Sequence, residues 1–131
     1  MSTRTASSSW EPGPLRCVVA VGGFSIVVDE PEEVGGTGAA PQPTDLLLAS
    51  VASCFTLALV YSAAKRAITL TSVRVEAVGS YAGPRFDAVR ISVDVDGPTP
   101  GELADLIAAA ERVCYVSNTL RAGVDITVAA E

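Results

Sequence analysis

Hydrophobic and polar positions alternate in some stretches of the chain and run together in others, and the contrast predicts its elements. Arg16–Val21 (RCVVAV) and residues 24–28 (FSIVV) are short β-branched runs joined by Gly22-Gly23, the dipeptide that supplies positive φ in a tight hairpin. Residues 71–81 and 86–96 are two longer strands around the turn Ala82-Gly83-Pro84. In the second, Val89, Ile91, Val93 and Val95 alternate with Arg90, Ser92, Asp94 and Asp96, a period of two with one wet face. Residues 123–129 alternate again, with Val124, Ile126 and Val128 on one side, and predict a last strand.

Residues 41–66 (PQPTDLLLASVASCFTLALVYSAAKR) read differently. Nineteen uncharged positions, 46–64, follow two prolines and a cap at Thr44 and close on Lys65 and Arg66, which are helix start and stop signals. At about 28 Å such a helix matches the hydrocarbon thickness of a bilayer. Ser50, Ser53, Thr56, Tyr61 and Ser62 interrupt it, however, and the flanking chain is patterned for a soluble core, so a central, largely buried helix is the reading. A second helix opens at Thr99-Pro100-Gly101-Glu102, with proline at the first helical position and an acid in the first turn. Its apolar stripe is Leu103, Leu106, Ile107, Ala110 and Cys114.

The order is therefore hairpin, helix, hairpin, helix, strand, an α+β pattern with antiparallel sheets packed on a long central helix. Residues 1–15 are polar and proline-broken, without the apolar core of a signal peptide, and predict a disordered tail before one domain at 16–131. A nearly uncharged helix needs cover on most of its circumference, and a chain this short supplies few elements to cover it. Dimerisation would supply the rest, so an obligate homodimer is expected.

Composition narrows the chemistry. With 131 residues, a net charge of −6 and scattered basic residues, neither nucleic acid nor an anionic membrane is the expected partner. The chain has no histidine, which excludes His general bases, Ser/His/Asp triads and His-ligated metals. GGTGAAP lacks the Lys-Ser/Thr ending of a phosphate loop. Three cysteines in a chain without a recognisable leader favour a reducing, cytoplasmic setting. Cys17, Cys54 and Cys114 are too far apart for a CxxC knuckle, and Cys17 alternates into a strand as a core residue. Cys54 shares a helical face with Leu47, Val51, Leu57, Ala58 and Tyr61, and Cys114 lies on the second helix's stripe. Spacing leaves three readings of this pair open: inert core thiols, a redox pair, or a structural disulfide closing a long loop.

The text DEPEEVGGTGAAPQPTDLLLASVASCF, followed by AAKRAITLTSVRVEAVGSY and later by RVCYVSNTLRAGVDITV, resembles the OsmC/Ohr family, in particular its OsmC-like branch. The resemblance runs from about Arg16 to the end and includes the order and spacing of Cys54 and Cys114. It implies an intertwined α+β homodimer with two long central helices, and a thiol-dependent reduction of organic peroxides. It also implies a peroxidatic role for Cys54 and a resolving role for Cys114, which stands in CYVSN where the family commonly has C-P-V-S. No bound cofactor or metal is implied, only an external dithiol reductant.

The family holds its peroxidatic thiolate with an arginine near the first strand and a glutamate just before the central helix. Arg16 is the position that matches the arginine. Where the glutamate stands ten residues before the cysteine, this chain has Thr44, and the acid, Asp45, comes one residue later and is one methylene shorter. On a straight helix Asp45 would lie about 13 Å up the axis from Cys54 and on the opposite side. The expected function is thus a cysteine-based hydroperoxide reductase with Cys54 and Cys114 as its thiols and Arg16 and Asp45 as candidate partners. Arg16 also reads as a plain strand-end charge, and Asp45 as a first-turn acid favoured by the helix dipole. The alternatives are an OsmC-fold protein that binds a small apolar ligand or senses redox state, and a structural dimer with inert thiols.

Overall fold

The computed structural model describes residues 2–130. In chain order the elements are strands β1 (Ala6–Ser9), β2 (Arg16–Val21) and β3 (Phe24–Asp29), a 3-10 turn (Glu32–Val34), helix α1 (Pro43–Lys65), strands β4 (Ser72–Tyr81) and β5 (Phe86–Asp96), and helices α2 (Pro100–Val113) and α3 (Tyr115–Ala122). This is the α+β pattern the sequence predicts, with one three-stranded and one two-stranded antiparallel sheet. The chain divides into two compact units, Met1–Leu47 and Leu48–Glu131.

In the first unit β2 and β3 form the expected hairpin. Gly22 and Gly23 both have positive φ, 57° and 80°, the pair of angles that a two-residue turn between twisted strands requires. The turn fixes the register from Val21 opposite Phe24 to Arg16 opposite Asp29. Against expectation, residues 6–9 do not form part of a disordered tail: β1 adds to the outer edge of β2, Ala6 opposite Val21 through Ser9 opposite Val18. All four β1 side chains are exposed, so main-chain hydrogen bonds rather than an apolar pattern make this strand. The glycine-rich segment after β3 is likewise an ordered loop. Gly38 N–H donates to the Glu30 carbonyl, Leu15 N–H to that of Gly35, and Asp29 N–H to that of Pro41.

The second unit is built around one apolar cluster: Phe55, Ala58, Leu59, Ala63, Leu106, Ala110 and Cys114. Leu59 and Leu106 are essentially inaccessible, and burying a side chain of that size contributes about 1.5–3 kcal/mol. The one-sided alternation of β4 and β5 delivers Val73, Val75, Ile91, Val93 and Val95 to this cluster. Their hairpin closes with the Phe86 ring laid over Gly79, where a Cβ would come within 2.7 Å of it.

Helix α1 starts at Pro43, so Thr44 falls inside its first turn instead of capping it. Its buried positions are Val51, Phe55, Ala58, Leu59, Ser62 and Ala63, a spacing of three and four. Of the residues expected on the face of Cys54, Leu47, Leu57 and Tyr61 are exposed. The helix is apolar all round and long enough to cross a bilayer, and a third of its most apolar stretch is buried within the chain. It ends where Ala67 enters the left-handed region at φ 54°.

Helix α2 begins as predicted, with a reciprocal capping box between Thr99 and Glu102. It stops at Val113, one residue short of the expected stripe, because Cys114 has extended backbone, φ −78° and ψ 101°. The chain then turns directly into α3, which the pattern of apolar positions does not announce. The strand expected at 123–129 is absent: these residues are unpaired, and Val124, Ile126 and Val128 are exposed. Alternation marks a segment able to pair, but a strand forms only where a neighbouring edge receives its hydrogen bonds.

Candidate active site

Cys114 is the single residue between α2 and α3, and its main chain is pinned on both sides. Its N–H donates to Ala110 O at 2.9 Å, and its carbonyl accepts from Asn118 N–H at 3.0 Å. The Asn118 amide also donates to Arg112 O, at 3.2 Å, satisfying a carbonyl at the end of α2. The side chain is fully buried in the cluster of the second unit. Cys54, half-buried in the middle of α1, packs against the same cluster, and both thiols are free. Two cysteines sixty positions apart are thereby brought together.

Burial pushes the Cys114 thiol up, but hydrogen bonds from the Ser117 hydroxyl and N–H, from the Cys54 thiol and from Val116 N–H act against it, and the net direction is down. The Ser117 hydroxyl also lies 3.4 Å from Cys114 O. Its single proton is thus within reach of both the Cys114 carbonyl and the sulfur. A lowered thiol pKa and a second thiol beside it are features that dithiol–disulfide exchange uses.

In the first unit Arg16 opens β2 directly opposite Asp29, with Nη1 3.9 Å from Oδ2. The Arg16 side chain is 43% exposed and that of Asp29 is 0% exposed. Asp29 Oδ1 accepts from Glu30 N–H and Thr37 N–H, each at 2.9 Å, and Oδ2 from the Thr37 hydroxyl and from Ala39 N–H at 3.1 Å. The Thr37 hydroxyl, then its N–H, outweigh desolvation and hold the Asp29 carboxyl at about 2, well below its ordinary value.

Asp45 is exposed in the first turn of α1, where an acid complements the helix dipole. Among the described residues no salt bridge holds it. Cys17 is half-buried in β2, opposite Val28. Sequence reasoning missed Asp29, Thr37 and Ser117. An acid leading a glycine-rich loop and a serine three residues after a cysteine were the available signals. Among the described residues no group of three His, Cys, Asp or Glu side chains could hold a metal ion.

The family profile described as OsmC-like protein matches residues 36–129. The organic hydroperoxide resistance protein of Xanthomonas axonopodis pv. citri (strain 306) is 31% identical over 103 residues, 75% of this chain and 72% of that one. Among solved structures, an organic hydroperoxide resistance protein OsmC from Legionella pneumophila superposes with a TM-score of 0.68 at 27% identity, covering 95% of this chain and 93% of that one. An OsmC-like protein from Mycoplasma pneumoniae gives 0.78 at 18% identity, over 92% and 88%, and speaks for the fold alone.

Proposed function

Because the chain belongs to the OsmC-like protein family, we propose that it is a thiol-dependent hydroperoxide reductase in which Cys54 is the peroxidatic and Cys114 the resolving cysteine. Relatives named for organic hydroperoxide resistance support the peroxide substrate. The observation that carries the mechanism is the contact of Cys54 with Cys114 in one apolar cluster. Cys54 is the accessible member of the pair and Cys114 the buried one, so peroxide meets Cys54 first.

The Cys54 thiolate attacks the terminal peroxide oxygen; an S–O bond forms, the O–O bond breaks, and the alkoxide leaves as alcohol after taking a proton. The Cys114 thiolate then attacks the Cys54 sulfenic sulfur, forming the disulfide and releasing hydroxide, which is protonated to water. An external dithiol, itself oxidised to a disulfide, restores both thiols. By their family counterparts, Arg16 is the candidate for the cation that favours the Cys54 thiolate and Asp45 the candidate for the acid. The chain acts as a homodimer: the outward Leu57, Val60 and Tyr61 of α1 and the bare Val124, Ile126 and Val128 are the apolar surface a second copy would cover. Free thiols suit a cytoplasmic location.

The test is consumption of cumene hydroperoxide with dithiothreitol as reductant. Cys54→Ser is expected to abolish turnover, whereas Cys114→Ser leaves a trappable Cys54 sulfenate and no intramolecular disulfide. Consumption unchanged in Cys54→Ser would sink the reading. Absence of any Cys54-dependent reaction would leave ligand binding or redox sensing, the alternative that Thr44 in the glutamate position favours.

A further inference from the structure

The activating arginine needs a fixed counter-charge, and the helix that should supply it carries Thr44 and an exposed Asp45. The hairpin offers a different acid. We propose that Asp29, rather than an acid on α1, is the carboxylate that positions Arg16. The proposal rests on the hydroperoxide reductase reading for what Arg16 does, though not for how Arg16 is held.

Four observations converge on Asp29. The Gly22-Gly23 turn sets the register that places Arg16 directly across from it, so the pairing follows from the fold of the hairpin rather than from a chance rotamer. The carboxylate is buried and accepts four hydrogen bonds, two on each oxygen, and therefore cannot rotate. The loop that donates them is drawn so close that a Cβ on Gly36 would lie 2.6 Å from Asp29 Oδ1 and 1.9 Å from the Glu30 carbonyl oxygen. Finally, the Arg16 side chain keeps one open side, on a concavity of about 270 Å³ walled by Trp10, Leu15 and Pro43.

At 3.9 Å the contact is longer than a bidentate fork. The guanidinium is thus oriented by an immobile negative charge while its donors remain available to another anion. Asp29 touches no reacting atom in this scheme; it is a positioning residue. It also ties the loop before α1 to the strand that carries Arg16, so one carboxylate serves both.

The experiment is a pH profile of cumene hydroperoxide reduction from pH 5 to 9. Asp29→Asn is expected to raise the midpoint by about one unit and to lower the rate at pH 6 about tenfold, while the plateau at high pH and the circular dichroism spectrum stay unchanged. In an Arg16→Ala background the same substitution should move the midpoint no further. An unshifted midpoint, a shift that persists without Arg16, or a shift produced by Asp45→Asn instead would each overturn the proposal. A second measurement on the unmutated protein covers the case where Asp29→Asn does not fold. Guanidinium NMR should show slower Nε–Cζ rotation for Arg16 than for the exposed Arg90, and equal mobility would refute the pairing. This reading stands or falls even if no peroxidase activity is found.

Discussion

The two units hold their candidate site residues by opposite means. Around Asp29 a charge is fixed by polar groups: backbone N–H donors and one hydroxyl converge on a buried carboxylate and shape the loop around it. Around Cys114 a weakly polar thiol is fixed by hydrocarbon, with Phe55, Leu59, Leu106 and Ala110 closing over it. The first arrangement depends on ionisation and on the shape of a loop. The second depends on volume, because apolar packing is indifferent to pH and sensitive to every missing methylene. The hairpin therefore answers to pH and the cluster to packing.

Three perturbations separate these modes. The largest effect is expected from Leu106→Ala, which empties an inaccessible position beside Cys114 and should cost about 2–5 kcal/mol in urea or thermal unfolding. A cost below about 1 kcal/mol would mean that the cluster collapses around the gap and that volume is not what fixes the thiol. Next comes Gly36→Ala, whose new methyl meets backbone and forces the loop off Asp29, at about 1–3 kcal/mol. Its thermal unfolding should be accompanied by faster hydrogen exchange at Thr37 and Ala39 N–H.

The smallest effect is a change of slope, read only in acid. The Asp29 carboxyl titrates at about 2 when folded and near 3.8 when not, so its stabilisation is fully present above about pH 4 and is lost as pH falls toward 2. Asp29→Asn should flatten the slope of unfolding free energy against pH in that window, whereas Leu106→Ala should leave the slope unchanged. An unaltered slope in Asp29→Asn would show that another carboxylate governs acid sensitivity.

Local chemistry carried much of this into the sequence. Gly22-Gly23 and the β-branched runs around it specify the hairpin and its register, the period of two specifies β4 and β5, and Thr99-Pro100 marks the start of α2. The thiol pair was legible too, because the family pattern spans both cysteines. What escaped depends on partners remote in the chain. β1 has no apolar alternation and exists because β2 has an edge to pair with. The break at Cys114 lacks the proline that commonly follows this cysteine in the family, so Tyr115 gave no sign of a new helix. Residues 123–129 carry the pattern of a strand without a neighbour inside the described chain. Asp29 is a single acid in a loop, and nothing in its immediate neighbours reveals that Thr37 and Ala39 will fold back onto it.

The bare segment at the end of the chain also bears on solubility. Alternating Val124, Ile126 and Val128 with unpaired main chain present a ready template for edge-to-edge pairing. In the proposed homodimer, a partner subunit that covered the segment would also shield it from aggregation. If the proposed homodimer forms, conditions that separate it, such as high dilution or mild denaturant, should drive the protein toward insoluble β-rich aggregates before either unit has unfolded.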